Sequence, residues 1–134
     1  MNELYWLDKR DIVAIHNEIL AESGGKPGIL NEGALDSTLN KPKNLYYYSP
    51  KTTLYELAAA YSYGLVKNHC FVDGNKRIAL IAAYTFLAIN GIELIASETD
   101  ASAYFWELAA SQTPQETEIQ KLAKWLQINS QLIN

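Results

Sequence analysis

Basic residues, disulfide capacity and long apolar runs are all in short supply in this 134-residue chain. Lys and Arg number 11 against 15 Asp and Glu, for a formal net charge of −4. A general nucleic-acid or anionic-membrane surface needs a basic field, so both partner classes are excluded, although a local basic pocket is not. The single cysteine, Cys70, has no second thiol in the chain, which rules out an internal disulfide. No uncharged apolar run approaches the roughly 20 residues that cross a bilayer. The first residues, Met1-Asn2-Glu3-Leu4-Tyr5-Trp6, lack the basic and then apolar regions of a secretory signal. A cytoplasmic protein is therefore expected. No Cys/His spacing suggests zinc, and no linker, repeat or low-complexity segment divides the chain. What is present, 49% hydrophobic and 19% charged residues, suits one globular domain over residues 1–134.

The patterning is helical. Asp8 can cap a helix to about Glu22 that carries Ile12, Ile15, Ile19 and Leu20 on one face and ends at Ser23-Gly24-Gly25. Asn31 precedes a short helix with Leu35 and Leu39 on one face, and Pro42 lies just beyond its expected end. Two prolines and the tyrosines Tyr46 to Tyr48 make Lys41 to Lys51 read as an irregular loop, the longest connection in the chain. Thr53 and Glu56 form a capping box for a third helix to about Asn68. From about Asn75 to Asn90 apolar residues surround the whole circumference, as in a helix at the middle of a bundle, and Gly91 follows at the natural stop. Ile92 to Ile95 is a short extended piece, too isolated to predict a sheet. Ser97 to Asp100 can cap a helix through about Ser111, and Thr113-Pro114-Gln115-Glu116 supplies a cap, a first-turn proline and a capping-box glutamate for the last helix. An all-α bundle of about six helices is predicted.

The chemistry gathers between the third and fourth predicted helices, in His69-Cys70-Phe71-Val72-Asp73-Gly74-Asn75-Lys76-Arg77. This run falls at a helix N-terminus, where free backbone N–H groups and the dipole attract anions. Histidine is the side chain suited to proton transfer near neutral pH, so His69 can take a proton from a hydroxyl attacking phosphorus; taken alone, it equally reads as a helix-end residue capping carbonyls. Asp73 offers a hard oxygen ligand for magnesium, or an ordinary N-cap. Gly74 allows successive N–H groups to converge on an anion, or is a plain turn residue. Asn75 can orient the loop or a phosphate. Lys76 supplies a mobile charge and Arg77 a planar fork for two phosphate oxygens. Cations in the first turn oppose the dipole at a cost of about 0.3 to 1 kcal/mol each, which implies a compensating anion. Phe71 reads as the apolar anchor of the loop. His16 reads as structural, bonded to a backbone carbonyl, and Cys70 as a small buried thiol, because sequence neighbours point apart and leave no Cys–His nucleophile pair. Trp6, Trp106 and Trp125 read as core or partner contacts.

The run His69-x-Phe71-x-Asp73-Gly74-Asn75-Lys76-Arg77, with Phe86-Leu87-x-x-Asn90-Gly91, resembles the signature of the Fic/Doc superfamily, and specifically its death-on-curing (Doc) toxin branch. Upstream, Gly24-Gly25-x-Pro27-Gly28-Ile29, Leu35-Asp36-Ser37-x-Leu39, Lys41-Pro42 and Ala58-Ala59-Ala60 are similar to the Doc pattern, so the resemblance spans about residues 7 to 95. It implies an all-α bundle around the helix after the motif, and transfer of a nucleotide-derived group from ATP to a protein hydroxyl. On this chain it assigns His69 as general base, Asp73 to Mg2+, and Gly74, Asn75, Lys76 and Arg77 to the phosphates. Fic members usually move AMP and carry Gly where this chain has Lys76, with a further arginine where it has Leu80; Doc shares both departures. That implies a kinase-like activity, with the γ-phosphate facing the base and a threonine of elongation factor Tu as target, so that translation is inhibited. It also implies a cognate antitoxin whose disordered C-terminal segment folds onto the site. Doc usually has Ala at the position of Gly74, which is more Fic-like. AMP or other nucleotidyl transfer and a catalytically silent binding module are the alternatives. The resemblance places the target segment along Lys41 to Lys51, where Fic proteins carry a flap; its tyrosines read equally as packing.

Overall fold

The computed structural model describes residues 3–133 as six helices and one small sheet: α1 Lys9–Ser23, α2 Glu32–Tyr48, α3 Leu54–Lys67, α4 Asn75–Ile89, β1 Ile92–Leu94, α5 Glu98–Ala110, α6 Gln115–Ile128 and β2 Ser130–Leu132. This is the predicted all-α bundle. Its centre is shared: α3 packs against α2, α4, α5 and α6, while α4 packs against α1, α3, α5 and β1. The composition of α3 explains this position. Ala58, Ala59, Ala60, Ser62 and Gly64 keep its surface shallow, so neighbouring backbones come close and bury the helix from Leu57 to Val66. Gly64 marks the tightest approach, for a Cβ there would stand 2.5 Å from Cγ2 of the buried Thr38 on α2. Across the α3–α4 seam the Ser62 hydroxyl donates to the Ala79 carbonyl at 2.6 Å.

The helix starts follow local chemistry. Asp8 caps α1 in a reciprocal box with Asp11, and Thr53 caps α3 with Glu56. Ser97 caps α5 through the Asp100 N–H. Hydrogen bonds hold two of these carboxylates below their ordinary range, Asp8 chiefly through the Asp11 N–H, Glu56 chiefly through the Gln120 amide and then the Thr53 N–H. A lowered folded-state value stabilises the fold above the unfolded value and is lost as pH falls through the folded one. The melting temperature is therefore expected to fall as pH drops below about 4.5. In a circular-dichroism pH series, Glu56→Gln should flatten part of that fall; an unchanged slope would remove Glu56 from the account.

Three expectations are corrected. Lys41 to Lys51 is not an irregular loop: α2 runs on to Tyr48, with Pro42 inside it. Interior proline costs a helix about 3 kcal/mol, but Leu35, Leu39, Pro42, Leu45 and Tyr46 continue one apolar stripe against the core, and that burial carries the helix through. Ile92 to Leu94 does find a partner, pairing antiparallel with Ser130–Leu132 in the register Ile92 with Leu132 and Leu94 with Ser130. Thr113 is not the cap of α6: Pro114 holds the N-cap position without a side-chain bond, while Thr113 N–H donates to Ser111 Oγ.

α5 is anchored from behind. The Lys67 ammonium, at the end of α3, donates to the carbonyls of Leu108, Ala109 and Ser111, satisfying the last turn of α5 with a cation where the dipole favours one. That anchor fixes the helix that forms one wall of the site.

Candidate active site

The segment from Asn68 to Gly74 links the two central helices and is bonded along its length to the α1–α2 connection. Leu30 N–H and Asn31 N–H donate to the Cys70 carbonyl at 2.8 and 3.2 Å, Val72 N–H donates to the Gly28 carbonyl at 3.0 Å, and Ile29 and Phe71 form an antiparallel bridge. Phe71 is the apolar anchor expected, 1% exposed. His16 on α1 stacks on the Phe71 ring at 3.8 Å between centroids, and its Nε2 lies 2.7 Å from the Asp73 carbonyl. The backbone-carbonyl role read for His16 is thus found, and the carbonyl belongs to Asp73.

Each site residue follows from this frame. His69 follows Asn68, the C-cap of α3, with φ +46, the one non-glycine residue with positive φ among those described, and it is exposed. Left-handed backbone costs an ordinary residue about 1 to 2 kcal/mol, a strain that collects at functional sites. Asp73 is not the N-cap of α4. Gly74, at φ +78, holds that position with no side-chain cap, and the Asp73 carboxylate turns back to accept from Gly74 N–H at 2.9 Å and Lys26 N–H at 3.2 Å. Gly25 makes room for it: a Cβ at that glycine would stand 3.0 Å from Asp73 Oδ2. The Asn75 side chain is committed to the loop, its amide donating to the Phe71 carbonyl at 2.9 Å while its oxygen accepts from Phe71 N–H at 3.0 Å. What it keeps for an anion is its backbone N–H. Among the described residues no acceptor meets the N–H groups of Asn75, Lys76 and Arg77, which open the first turn of α4.

Those three residues line a cleft of about 750 Å³ walled by the end of α1 with Gly24 and Gly25, by Asp73 to Arg77, by Leu80 and Ile81 of α4, and by Glu98, Ser102, Phe105 and Trp106 of α5. Lys76 and Arg77 are its cations; Glu22, Asp73 and Glu98 are its carboxylates. The Lys76 ammonium sits 4.7 Å from the centre of the Trp106 ring, a cation–π contact. His69 is not among the residues lining the cleft. Cys70 is fully buried, its Sγ 3.7 Å from Thr38 Oγ1, and burial pushes its thiol above the ordinary range, so it is the inert small residue expected.

Sequence reading missed two elements of this site. Gly25 leaves room for the Asp73 carboxylate and Lys26 N–H donates to it; the sequence marked this stretch only as a helix stop and as part of the block Gly24-Gly25-x-Pro27-Gly28-Ile29. Trp106 joins Lys76 across the cleft, and no spacing marks that contact, because α5 reaches the cleft only through tertiary packing.

The two central apolar helices of this α-bundle are thus joined by a loop whose Asp73, together with Lys76, Arg77 and the unmet N–H groups of the first turn of α4, belongs to one cleft. The Fic/DOC family model matches residues 6–87, and the chain belongs to that family. It is 37% identical over 92 residues to "Toxin Doc" of Mycolicibacterium smegmatis, covering 68% of each chain. It is 30% identical over 91 residues to "Protein kinase doc" of Escherichia phage P1, covering 68% of this chain and 72% of the phage protein.

Proposed function

We propose that this protein is a Doc-like toxin, a protein-modifying transferase that moves the γ-phosphate of ATP to a hydroxyl of a protein target, by resemblance a threonine of elongation factor Tu, and so inhibits translation. The supporting observation is the first turn of α4, where unmet N–H groups, Lys76 and Arg77 line one cleft with Asp73. The cleft's volume lies within the range of small-molecule sites. Leu80, where a Fic transferase usually has arginine, is a cleft-lining aliphatic residue, and Lys76 puts charge where such enzymes have glycine. Both favour phosphate over AMP transfer. Gly74 is the feature that favours the AMP reading.

The Asp73 carboxylate is oriented by two N–H groups and faces the cleft, which suits a magnesium ion that arrives with polyphosphate and keeps most of its waters. Among the described residues no three His, Cys, Asp or Glu side chains gather into a protein-only cage. Bound there, the ion supplies neutralisation of phosphate charge. The chain does the rest: the N–H groups of the first turn and the Arg77 fork hold the phosphates, while exposed His69 receives the acceptor from the solvent side. As the acceptor oxygen bonds to the γ-phosphorus, its proton passes to the His69 ring, the β–γ bridging bond breaks and ADP leaves. Positioning and charge neutralisation dominate such a site. The 41–51 segment, expected to hold the target, does not serve the acceptor on this reading: α2 ends at Tyr48 and the 49–53 connection leads into the start of α3, about 20 Å along that helix from His69. A cognate antitoxin segment that folds over the cleft completes the reading.

The test is incubation with elongation factor Tu and ATP labelled at either the α or the γ phosphate. Label transferred from γ alone is the expected result. Transfer from α establishes nucleotidyl transfer instead, and transfer of neither overturns elongation factor Tu as the acceptor.

A further inference from the structure

Lys76 stands in the second position of α4, where the helix dipole repels it, yet no carboxylate pairs with it among the described residues. Its contact is the Trp106 ring, at 4.7 Å. Trp106 is itself anomalous. It is 67% exposed although it belongs to α5, whose neighbouring Phe105 and Leu108 are buried, and its indole forms cleft wall instead of core. A large apolar face left in water beside an uncompensated cation accounts for both residues at once, since the ring's negative face supplies what the dipole denies.

We propose that Trp106 is the positioning residue for Lys76. The indole holds the ammonium over the cleft before the anion arrives, and the N–H bonds directed away from the ring remain free for phosphate oxygens. A lysine side chain otherwise loses much rotamer freedom on binding; the ring, held through α5 by the Lys67 anchor, removes part of that loss beforehand. The inference rests on the reading of this cleft as a polyphosphate site and adds a residue from outside the motif to it. It makes anion affinity depend on the aromatic character of position 106, and only while a cation is present at position 76.

The experiment is calorimetric titration of Mg2+-ATP, and separately of Mg2+-tripolyphosphate, into wild type, Trp106→Phe, Trp106→Leu, Lys76→Met and the Lys76→Met/Trp106→Leu pair. Kd is expected to rise about two- to fivefold in Trp106→Leu, less in Trp106→Phe, and not at all when Trp106→Leu is added to Lys76→Met, a coupling that a merely structural role does not produce. Because Trp106 is exposed, thermal melting of Trp106→Phe and Trp106→Leu should stay close to wild type. Unchanged affinity in Trp106→Leu, or the same loss in the Lys76→Met background, overturns the inference while leaving the phosphate-transfer reading intact. Trp106-dependent binding of tripolyphosphate without binding of ATP sustains the inference and overturns ATP as donor. Binding of neither overturns both.

Discussion

Replacing His69 by alanine is expected to lower phosphate transfer by roughly 10² to 10⁴ while leaving nucleotide affinity nearly unchanged. The two effects separate because His69 is exposed in the turn after α3 and does not line the cleft that holds the cations. On the proposed mechanism its ring serves the acceptor and the N–H groups serve the donor. The backbone supplies an internal control. At φ +46 a glycine sits without strain, so His69→Gly should be more stable than His69→Ala by about 1 kcal/mol and equally inactive. Single-turnover kinetics with γ-labelled ATP, alongside thermal melts, give both comparisons. Undiminished transfer by either variant ends the role of His69 as base; an alanine variant that matches the glycine variant in stability ends the strain account.

Gly64→Ala carries the largest expected effect on stability. By intrinsic propensity the change should help α3 by about 1 kcal/mol, but the new Cβ would stand 2.5 Å from Thr38 Cγ2 and 3.0 Å from Thr38 Oγ1. Thr38 cannot yield cheaply, being 3% exposed and holding the Asn68 amide at 2.9 Å. Overpacking of this kind costs about 1 to 3 kcal/mol, so the net sign is destabilising. Adding Thr38→Ser removes the offending methyl and should restore much of the loss. A melting temperature unmoved by Gly64→Ala would mean that α2 and α3 separate without penalty. Since Asn68 precedes His69, the same variant should also disturb the site.

Most of the helical fold was legible because caps and apolar stripes are local. Asp8, Thr53 and Ser97 announced three helix starts, and the uncharged circumference of α4 announced its burial. Local reading failed where tertiary packing outweighed it. Pro42 is a helix breaker by itself, but it lies on the stripe that α2 presses into the core. The Ile92–Leu94 strand is too short to stand alone and exists because the residues after α6 return to it. The site divides the same way. Asp73, Gly74, Asn75, Lys76 and Arg77 are contiguous, so their shared place on the cleft was readable, while His69, four residues upstream, lies outside that lining, and the side chains of Asp73 and Asn75 are set by distant or backbone partners. Asp73 takes its second N–H from Lys26, and Asn75 spends its amide on Phe71 instead of leaving it for a ligand. Lys76 meets Trp106 only because α5 folds back along α4.

The bonding of the 69–74 segment to Gly28, Ile29, Leu30 and Asn31 has a temporal consequence. The chain is made from its N-terminus, so α1, α2 and their connection leave the ribosome before the residues that complete the cleft. Until Phe71 docks on Ile29 and α5 arrives to set Trp106 against Lys76, the emerging polypeptide holds a histidine, a carboxylate and two cations with nothing to converge them. The cleft is thus completed late in synthesis, once α5 has left the ribosome.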